Sequence, residues 1–293
     1  MQVRIDLHTH SRVSDGTDSP TELIQAAKAA ELDVVAITDH DTAASWDEAA
    51  AAATEAGIEL VRGMEISTDY VGHSVHLLAY LPDRTHPPLV AELARILAGR
   101  DGRLPLMLTR LARLGIEVSL EDVAAVSGDA AASGRPHLAD ALVAKGYVRS
   151  RDEAFNRYLG AGKPANVSRY AAPLEPMIRT VAAAGGVTVI AHPWGRSGHE
   201  QPDEAAISAL VDAGLSGLEV DHQDHSPEVR EKLRVIARNL DLVVTGSSDY
   251  HGTGKVGHHL GVNTTAPAEY ERLLERAAAA AAASGRATPE VVR

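Results

Sequence analysis

Val34-Val35-Ala36-Ile37-Thr38-Asp39-His40 begins as an apolar run and ends on two side chains able to bind metal. Its first four residues have the short, β-branched character of a strand buried on both faces. The chain on either side repeats the design. Val3 to Leu7 reads as a strand and runs into His8-Thr9-His10. Two His at i and i+2 on an extended chain share a face and can grip one cation. Ile58 to Val61 reads as the next strand, followed by Glu65. Val75 to Tyr80 comes after it with no intervening helix, so an antiparallel or hairpin pairing is expected. His76 lies inside that apolar run and is preferred to His73 as the inward-facing residue.

Helices alternate with these strands. Ser19-Pro20-Thr21-Glu22 carries an N-cap, a first-turn proline and a capping glutamate, starting a helix that runs to about Ala30. Ala43 to Ala56 is an Ala-rich helix closed by Gly57. The alternation stops at Pro87, and from about Ala91 to Leu159 the apolar spacing is helical. It resumes with helix Leu174 to Ala184, strand Val187 to Ala191, helix Asp203 to Ala213, strand Gly217 to Val220, helix Pro227 to Asn239 and strand Leu242 to Gly246. A last helix covers about Ala268 to Ala283, and the residues from Ser284 read as frayed.

Some seven strands, most followed by a helix, predict an α/β fold whose sheet closes into a TIM-like β/α barrel. Residues 1–90 and 166–293 form the expected barrel, and 91–165 a helical insertion that caps the substrate. Metal-capable residues cluster where such barrels place their active sites, at the carboxyl ends of strands. His8 and His10 end the first strand, and Asp39-His40 the second. Glu65 follows the third, and His76 lies in the fourth. His192 ends the fifth, while Asp249 and His251 follow the last. Asp15 sits in the turn Ser14-Asp15-Gly16-Thr17.

Composition narrows the chemistry. Hydrophobic residues make up 45% of 293, enough for a large core, but aromatics are only 3%, so Ala, Val, Leu and Ile must fill it. With no cysteine, a metal site must be built from His and carboxylate, a donor set suited to Mn, Fe or Zn in hydrolysis. The absence of cysteine also fits a reducing compartment. Neither a leader-like N-terminus nor an apolar run near the ~18 residues of a spanning helix is present, so the expectation is a cytoplasmic protein without a membrane partner. A net charge of −12 argues against stable binding of duplex DNA. Divalent ions in a cleft would still draw in an anionic substrate.

The motifs Asp6-Leu7-His8-Thr9-His10, Ile37-Thr38-Asp39-His40-Asp41, Gly63-Met64-Glu65, Ala191-His192-Pro193 and Ser248-Asp249-Tyr250-His251-Gly252 resemble those of the polymerase-and-histidinol-phosphatase (PHP) family. The resemblance spans nearly the whole chain. It implies a distorted seven-stranded barrel holding two to three divalent metals, manganese first and iron or zinc as alternatives. By the same resemblance His8, His10, Glu65 and Asp249 hold one metal. Glu65 bridges to a second with His76 and His192, and Asp15, His40 and His251 hold a third. Asp39 and Asp41 flank His40 and are read as carboxylates that orient an imidazole from behind.

Within the insertion, Gly134-Arg135-Pro136-His137 resembles the family segment that reaches over the metals to grip phosphate. Arg135 offers a two-pronged donor. His137 adds a hydrogen bond or protonates the leaving oxygen, and Lys163 adds charge. The glycines around Lys163 lack Walker spacing. His222 and His225 follow the sixth strand and face the site, or else belong to a polar loop. The resemblance gives His225 a substrate-side role. His86, His199, His258 and His259 read as solvated surface, and Trp194 as core or rim.

Within the family, the insertion with Arg135-Pro136-His137 most resembles enzymes that remove the 3′-phosphate of nucleoside 3′,5′-bisphosphates and trim short RNA from the 5′ end. The resemblance therefore implies a metal-dependent phosphoesterase acting on a small phosphorylated substrate, a nucleotide or short RNA. The alternatives are a histidinol-phosphate-type phosphatase, a non-catalytic nucleotide- or metal-sensing module, and an amide hydrolase. The last is disfavoured because a neutral amide gives Arg135 little to bind.

Overall fold

The computed structural model describes residues 3–128, 130–131, 133–195 and 202–293. Strand β1 (Ile5–Asp6) pairs parallel with β2 (Val34–Ile37), and β2 with β3 (Glu59–Tyr70). The chain then doubles back into β4 (His73–Tyr80), antiparallel to β3. A two-residue β5 (Ala172–Pro173) pairs beside β3. On its other side β4 runs antiparallel to β6 (Val187–Ala191), which continues in parallel to β7 (Gly217–Asp221) and β8 (Val243–Gly246). Thr9 bridges Tyr250 in parallel, and His10 N–H donates to the Tyr250 carbonyl at 2.8 Å. These contacts bring the two ends of the sheet together into a nearly closed, distorted seven-stranded barrel.

Strand alternation sorts the core into two layers. Val34 and Ala36 belong to an inner cluster with Ile5, Leu7, Val61, Leu78 and Val189, and Tyr270 and Leu273 join it from the last helix. Val35 and Ile37 belong to the outer cluster, packed under the flanking helices. Leu218 and Val220 also face outward, which leaves Glu219 between them on the inner side. An acid there is fully buried inside the barrel.

Local signals explain most element ends. Helix α1 (Pro20–Ala29) starts with the full Ser19/Glu22 capping box, and α2 (Trp46–Ala56) ends on Gly57 at φ 61°. Between β4 and β5 the chain forms α3 (Pro87–Ala112), α4 (Leu120–Ser127), α5 (Arg135–Ala144), α6 (Arg151–Ala154) and a π-helical turn, Phe155–Leu159. These helices bury their own apolar cluster around Leu104, Met107, Leu111, Leu138 and Leu142. After it come α7 (Leu174–Ala183), α8 (Glu204–Asp212), α9 (Pro227–Asn239) and α10 (Pro267–Ser284).

Two expectations need correction. Strand β3 does not stop at Val61 but continues to Tyr70, because β4 runs back along it from Gly63↔Tyr80 to Tyr70↔His73. Glu65 is therefore a strand residue, held rigidly. The C-terminal residues are docked rather than frayed: Leu60 and Val292 exchange backbone hydrogen bonds of 3.0 Å, and Arg293 reaches Glu59 at 3.2 Å.

The reversal at β4 also decides where the insertion begins. His76 lies opposite Ala191 at the carboxyl end of β6, whereas Tyr80 lies opposite Val187 at its amino end. The chain thus leaves β4 at the barrel end away from His192. Helix α3 then climbs back, covering about 20 Å between Pro87 and Arg100 at 1.5 Å per residue. Arg100 arrives beside Asp41, near the strand ends that carry the histidines.

Candidate metal centre

His8, His10, Asp15, His40, Glu65, His76, His192, Asp249 and His251 are all buried and converge on one cluster. They come from five regions of sequence, and the barrel closure unites them. His8 Nε2 and His10 Nε2 approach to 3.0 Å, as expected of i, i+2 side chains on one face. The two oxygens of Glu65 face different partners. Oε1 lies 2.6 Å from His76 Nδ1 and 3.3 Å from His192 Nε2. Oε2 lies 3.4 Å from His8, 3.2 Å from His10 and 3.1 Å from His40. Asp249 Oδ1 is 3.5 Å from both His8 and His10, and 3.4 Å from His251. Asp15 is 3.3 Å from His251 and 3.6 Å from His40 and His10. His76 is thus the histidine of β4 in the cluster, while His73 begins the strand at its half-exposed end.

These separations suit metal. Donors about 2.1 Å from a common cation, at tetrahedral or octahedral angles, lie roughly 3 Å apart. Donor atoms of His10, Asp15, His40 and His251 all fall within 4.8 Å of one another, as do those of His8, His10 and Asp249, and those of His40, Glu65 and His76. A fourth set, His222, Asp249 and His258, meets the same measure. Backbone conformation is forced at the same place: His192 has φ 31° and Asp249 φ 52°. Non-glycine residues are held in that region only where the surroundings over-determine them.

The electrostatics of the cluster's own side chains follow from its mixture of acids and imidazoles. Burial disfavours the anions, yet the surrounding His40 and His251 hold Asp15 well below the usual carboxylate range, and His76, His40 and His8 do the same to Glu65. Burial opposes charge on His8, but Glu219, Asp249 and Glu65 outweigh it and keep the ring well above its ordinary value. His10 is pushed up to about 9, against burial, by hydrogen bonds with Asp249 and Glu65. His40 falls to about 3 through burial, with Arg100 and His10 repelling its proton as Glu65 and Asp15 attract it.

Several surrounding residues differ from expectation. Among the described residues, neither Asp39 nor Asp41 hydrogen-bonds an imidazole directly. Asp39 accepts from Ser11 N–H at 2.8 Å, Ser11 Oγ at 2.7 Å and Ser14 Oγ at 2.6 Å, so it reaches His10 only through Ser14, 3.4 Å from Nδ1. Asp41 accepts from Ser67 N–H at 2.6 Å and pairs with Arg100 at 2.6 Å. The carboxylate that does orient a histidine is Glu219, which accepts from His8 Nδ1 at 2.9 Å and from the His192 N–H at 2.8 Å. In the sequence it is one residue of an apolar strand, and inward alternation between Leu218 and Val220 is the signal that marks it.

His222 is buried with Nε2 3.2 Å from Asp249 Oδ2, and Lys255 pairs with the same oxygen. His258 is buried rather than solvated, with Nδ1 2.7 Å from the Ser248 carbonyl, because the loop after β8 folds inward. His86 is also buried, at the start of α3; His259 is exposed, and His199 lies outside the described residues. Both ring nitrogens of His225 face the backbone, 2.8 Å from the Val220 carbonyl and 3.4 Å from Trp194 N–H.

The insertion closes one side. A cavity lined by Ser14, Asp15 and His40 from the barrel is bounded on its other side by Arg100, Gly134 and His137. His137 Nδ1 accepts from Gly134 N–H at 3.0 Å, and burial lowers its affinity for a proton. The neutral ring therefore carries its hydrogen on Nε2 and is a donor there. Arg135 packs over Phe155, 5.5 Å from the ring centre, and donates to the Leu159 carbonyl at 3.4 Å. Lys163 is exposed in the turn after the π-helix, and its described hydrogen bonds are backbone ones to Gly160 and Asn166.

Comparison with known proteins places the chain in a family. A model of the PHP domain matches residues 6–108. The chain is 37% identical over 254 residues to a 5′-3′ exoribonuclease of Haemophilus influenzae, covering 86% of this chain and 91% of that protein. It is 36% identical to a 3′,5′-nucleoside bisphosphate phosphatase of Chromobacterium violaceum, covering 88% and 90%. The crystal structure of a phosphoesterase from Bifidobacterium adolescentis, described as metal-dependent, superposes with a TM-score of 0.88 at 37% identity over 93% of this chain and 96% of its own.

Proposed function

Because the chain belongs to the PHP family of metal-dependent phosphoesterases, we propose that it hydrolyses phosphate esters of nucleotides, above all the 3′-phosphate of nucleoside 3′,5′-bisphosphates, and shortens small RNAs from the 5′ end. The observation that carries this reading is the shared cavity, with buried His and carboxylate donors on one wall and Arg100 and His137 on the other. One wall suits cations and the other suits a phosphoryl oxygen.

Three sets of residues would hold metal: His8, His10 and Asp249 with Glu65; Glu65 with His76 and His192; and Asp15, His40 and His251. The bound ions, manganese in our reading, would supply Lewis acidity and a nucleophile from water. The protein's own groups do the rest. Glu65 spans two of these sets with separate oxygens. Glu219 fixes the tautomer and tilt of His8. Arg100 faces the phosphoryl oxygens from across the cavity, and Arg135 follows Gly134 of that wall at the head of α5. His137 donates from Nε2 to an oxygen of the phosphoryl group or the leaving group. Residues 91–165 act as the cap that excludes bulk water from the centre, and Lys163 stands at its outer rim.

The test is a substrate panel with manganese: adenosine 3′,5′-bisphosphate, histidinol phosphate, a short 5′-phosphorylated RNA and bis-p-nitrophenyl phosphate. Release of phosphate from the bisphosphate with kcat/KM well above that for histidinol phosphate is the expected result. Preference for histidinol phosphate, or no turnover of any ester, would overturn it.

A further inference from the structure

Asp15 reaches the metal centre from a turn rather than from a strand. A side chain on a turn is placed less precisely than one on a strand, unless something else holds the turn. Within the turn, the N–H groups of Ser14 and Gly16 donate to the Ser11 carbonyl at 3.1 and 3.0 Å. The barrel grips the far end through the loop after β8. Tyr250 Oη donates to Asp18 at 2.6 Å, and Thr253 N–H to Thr17 Oγ1 at 3.0 Å. The remaining holds come from the cap. Ala131 N–H donates to the Val13 carbonyl at 2.8 Å, and Arg151 Nη1 to the carbonyl of Asp15 itself at 3.0 Å.

Arg151 is fixed before it makes that contact. It opens α6, with Ser150 as N-cap, and only 13% of its side chain is exposed. Its Nε and Nη2 donate to the two oxygens of Asp140 on α5, at 2.6 Å each. A two-pronged pair of this kind locks the guanidinium plane. Nη1 is the one nitrogen left over, and it points out of the cap at the Asp15 backbone. The other side of the guanidinium lies against the loop that follows His251. A side-chain carbon on Gly254 would collide with Nη1, and Gly254 N–H donates to the His251 carbonyl at 3.2 Å. Arg151 is therefore wedged between the two loops that supply Asp15 and His251, which lie 3.3 Å apart.

We infer that Arg151 is a positioning residue for the set Asp15, His40 and His251, coupling the seating of the cap to the presentation of Asp15. With the cap down, the main chain of Asp15 is held and its carboxylate stays within reach of both imidazoles. With the cap lifted, the turn would keep only its own bonds and those to the β8 loop. Glu65 and His76 sit on paired strands and need no such help. One of the three sets is thus complete only while the cap is seated. This rests on the assignment of that set to a metal given above.

The experiment uses the full chain as wild type, Arg151→Gln and Arg151→Lys. Asp140 is 28% exposed, so it can turn to water in the Gln variant and the fold should survive. Equilibrium dialysis with elemental analysis counts manganese per chain. Arg151→Gln should weaken one of the bound ions about 10–100-fold, the range for a lost partner behind a metal ligand, and leave the others unchanged. Arg151→Lys keeps the charge and should recover part of that loss. Hydrogen exchange on the chelator-treated chain reads the turn without any metal. The amides of Ser14 and Gly16 should exchange about tenfold faster or more in Arg151→Gln, as for a lost hydrogen bond to a charged group, while those of β2 and β6 stay as they were. Unchanged exchange at Ser14 and Gly16, or an equal loss of affinity for every ion together with a lower melting temperature, would make Arg151 packing for the cap and overturn the inference. A wild type that binds no manganese would instead sink the metal assignment, and the exchange comparison would still decide whether Arg151 holds the turn.

Discussion

Glu219 Oε1 lies 2.9 Å from His8 Nδ1, with both side chains wholly buried inside the barrel. The contact keeps a hydrogen on His8 Nδ1 and turns Nε2 toward His10 Nε2, 3.0 Å away. Glu219 also holds the backbone N–H of His192 and thereby ties two strand ends to one carboxylate. Replacing Glu219 by Gln should weaken metal binding about 10–100-fold, with activity recovering in part at high manganese. A manganese titration of wild type and variant reads this directly. Identical half-saturation would mean that His8 keeps its orientation without help.

His192→Ala should lower turnover of bis-p-nitrophenyl phosphate by about 100-fold or more, a loss at or beyond the upper end of that for an outer carboxylate. The fold should survive, because the His192 backbone keeps its bond to Glu219 at 2.8 Å. Circular dichroism and melting temperature check the fold and initial rates check the chemistry. Turnover at the wild-type rate would remove His192 from the centre.

Metal loading should release protons. In the metal-free protein burial works against charge on His10, but Asp249 and Glu65 hold it up to about 9, so the ring is protonated at neutral pH. His8 is shifted in the same direction, against burial, by Glu219, Asp249 and Glu65. A ligand nitrogen must be bare, so loading at pH 7.5 should expel protons, that of His10 among them. The release should fade as pH passes about 9. Calorimetry in two buffers of different ionisation enthalpy counts them, and a count near zero would contradict the charge state inferred for these rings. The sign for stability follows from linkage. His10 binds its proton more tightly when folded, so its contribution to the metal-free fold is complete below the ordinary value of 6.5 and is lost as pH rises through about 9.

Asp41→Asn should unfold the protein more readily, by about 3–5 kcal/mol in urea titrations. Arg100 would be left buried without its anion, while Asn tolerates the φ of 59° at this position. A cost below about 1 kcal/mol would show that Ser67 and solvent suffice for Arg100.

Arg135→Ala should raise KM for nucleotide substrates about tenfold with a smaller effect on kcat, if its place at the head of α5 beside Gly134 puts it among the phosphate contacts. Steady-state kinetics on the bisphosphate decide it. Unchanged KM and kcat would leave Arg135 as packing for Phe155.

The barrel and its histidines were legible because each strand is a short apolar run and each metal-capable residue stands at or near its end. His8, His10, His40 and His192 could be found that way, and parallel strand ends must meet at one rim. Glu219 was harder. It sits within an apolar strand, and only the in-out alternation, invisible when both faces are buried, marks it as interior. Arg100 was harder still. On a helix 26 residues long it looks like an ordinary surface cation, and nothing local says that Asp41 will meet it. His258 and the tail at Val292 depart from the sequence expectation for a related reason: both lie in loop segments whose burial depends on contacts that no local pattern announces, with Ser248 and Leu60.

The single reversed strand, β4, makes α3 a measuring rod. Since the helix sets out from the opposite end of the barrel, the azimuth of Arg100 over the rim is fixed by how many residues precede it. One residue added ahead of Arg100 would swing its guanidinium about 100° away from Asp41, and four would bring it back to within about 40° of its bearing but lift it about 6 Å. Insertions at this point in α3 are therefore tuned by rotational phase as much as by size, and whole turns are the only increments that leave the arginine aimed at the same target.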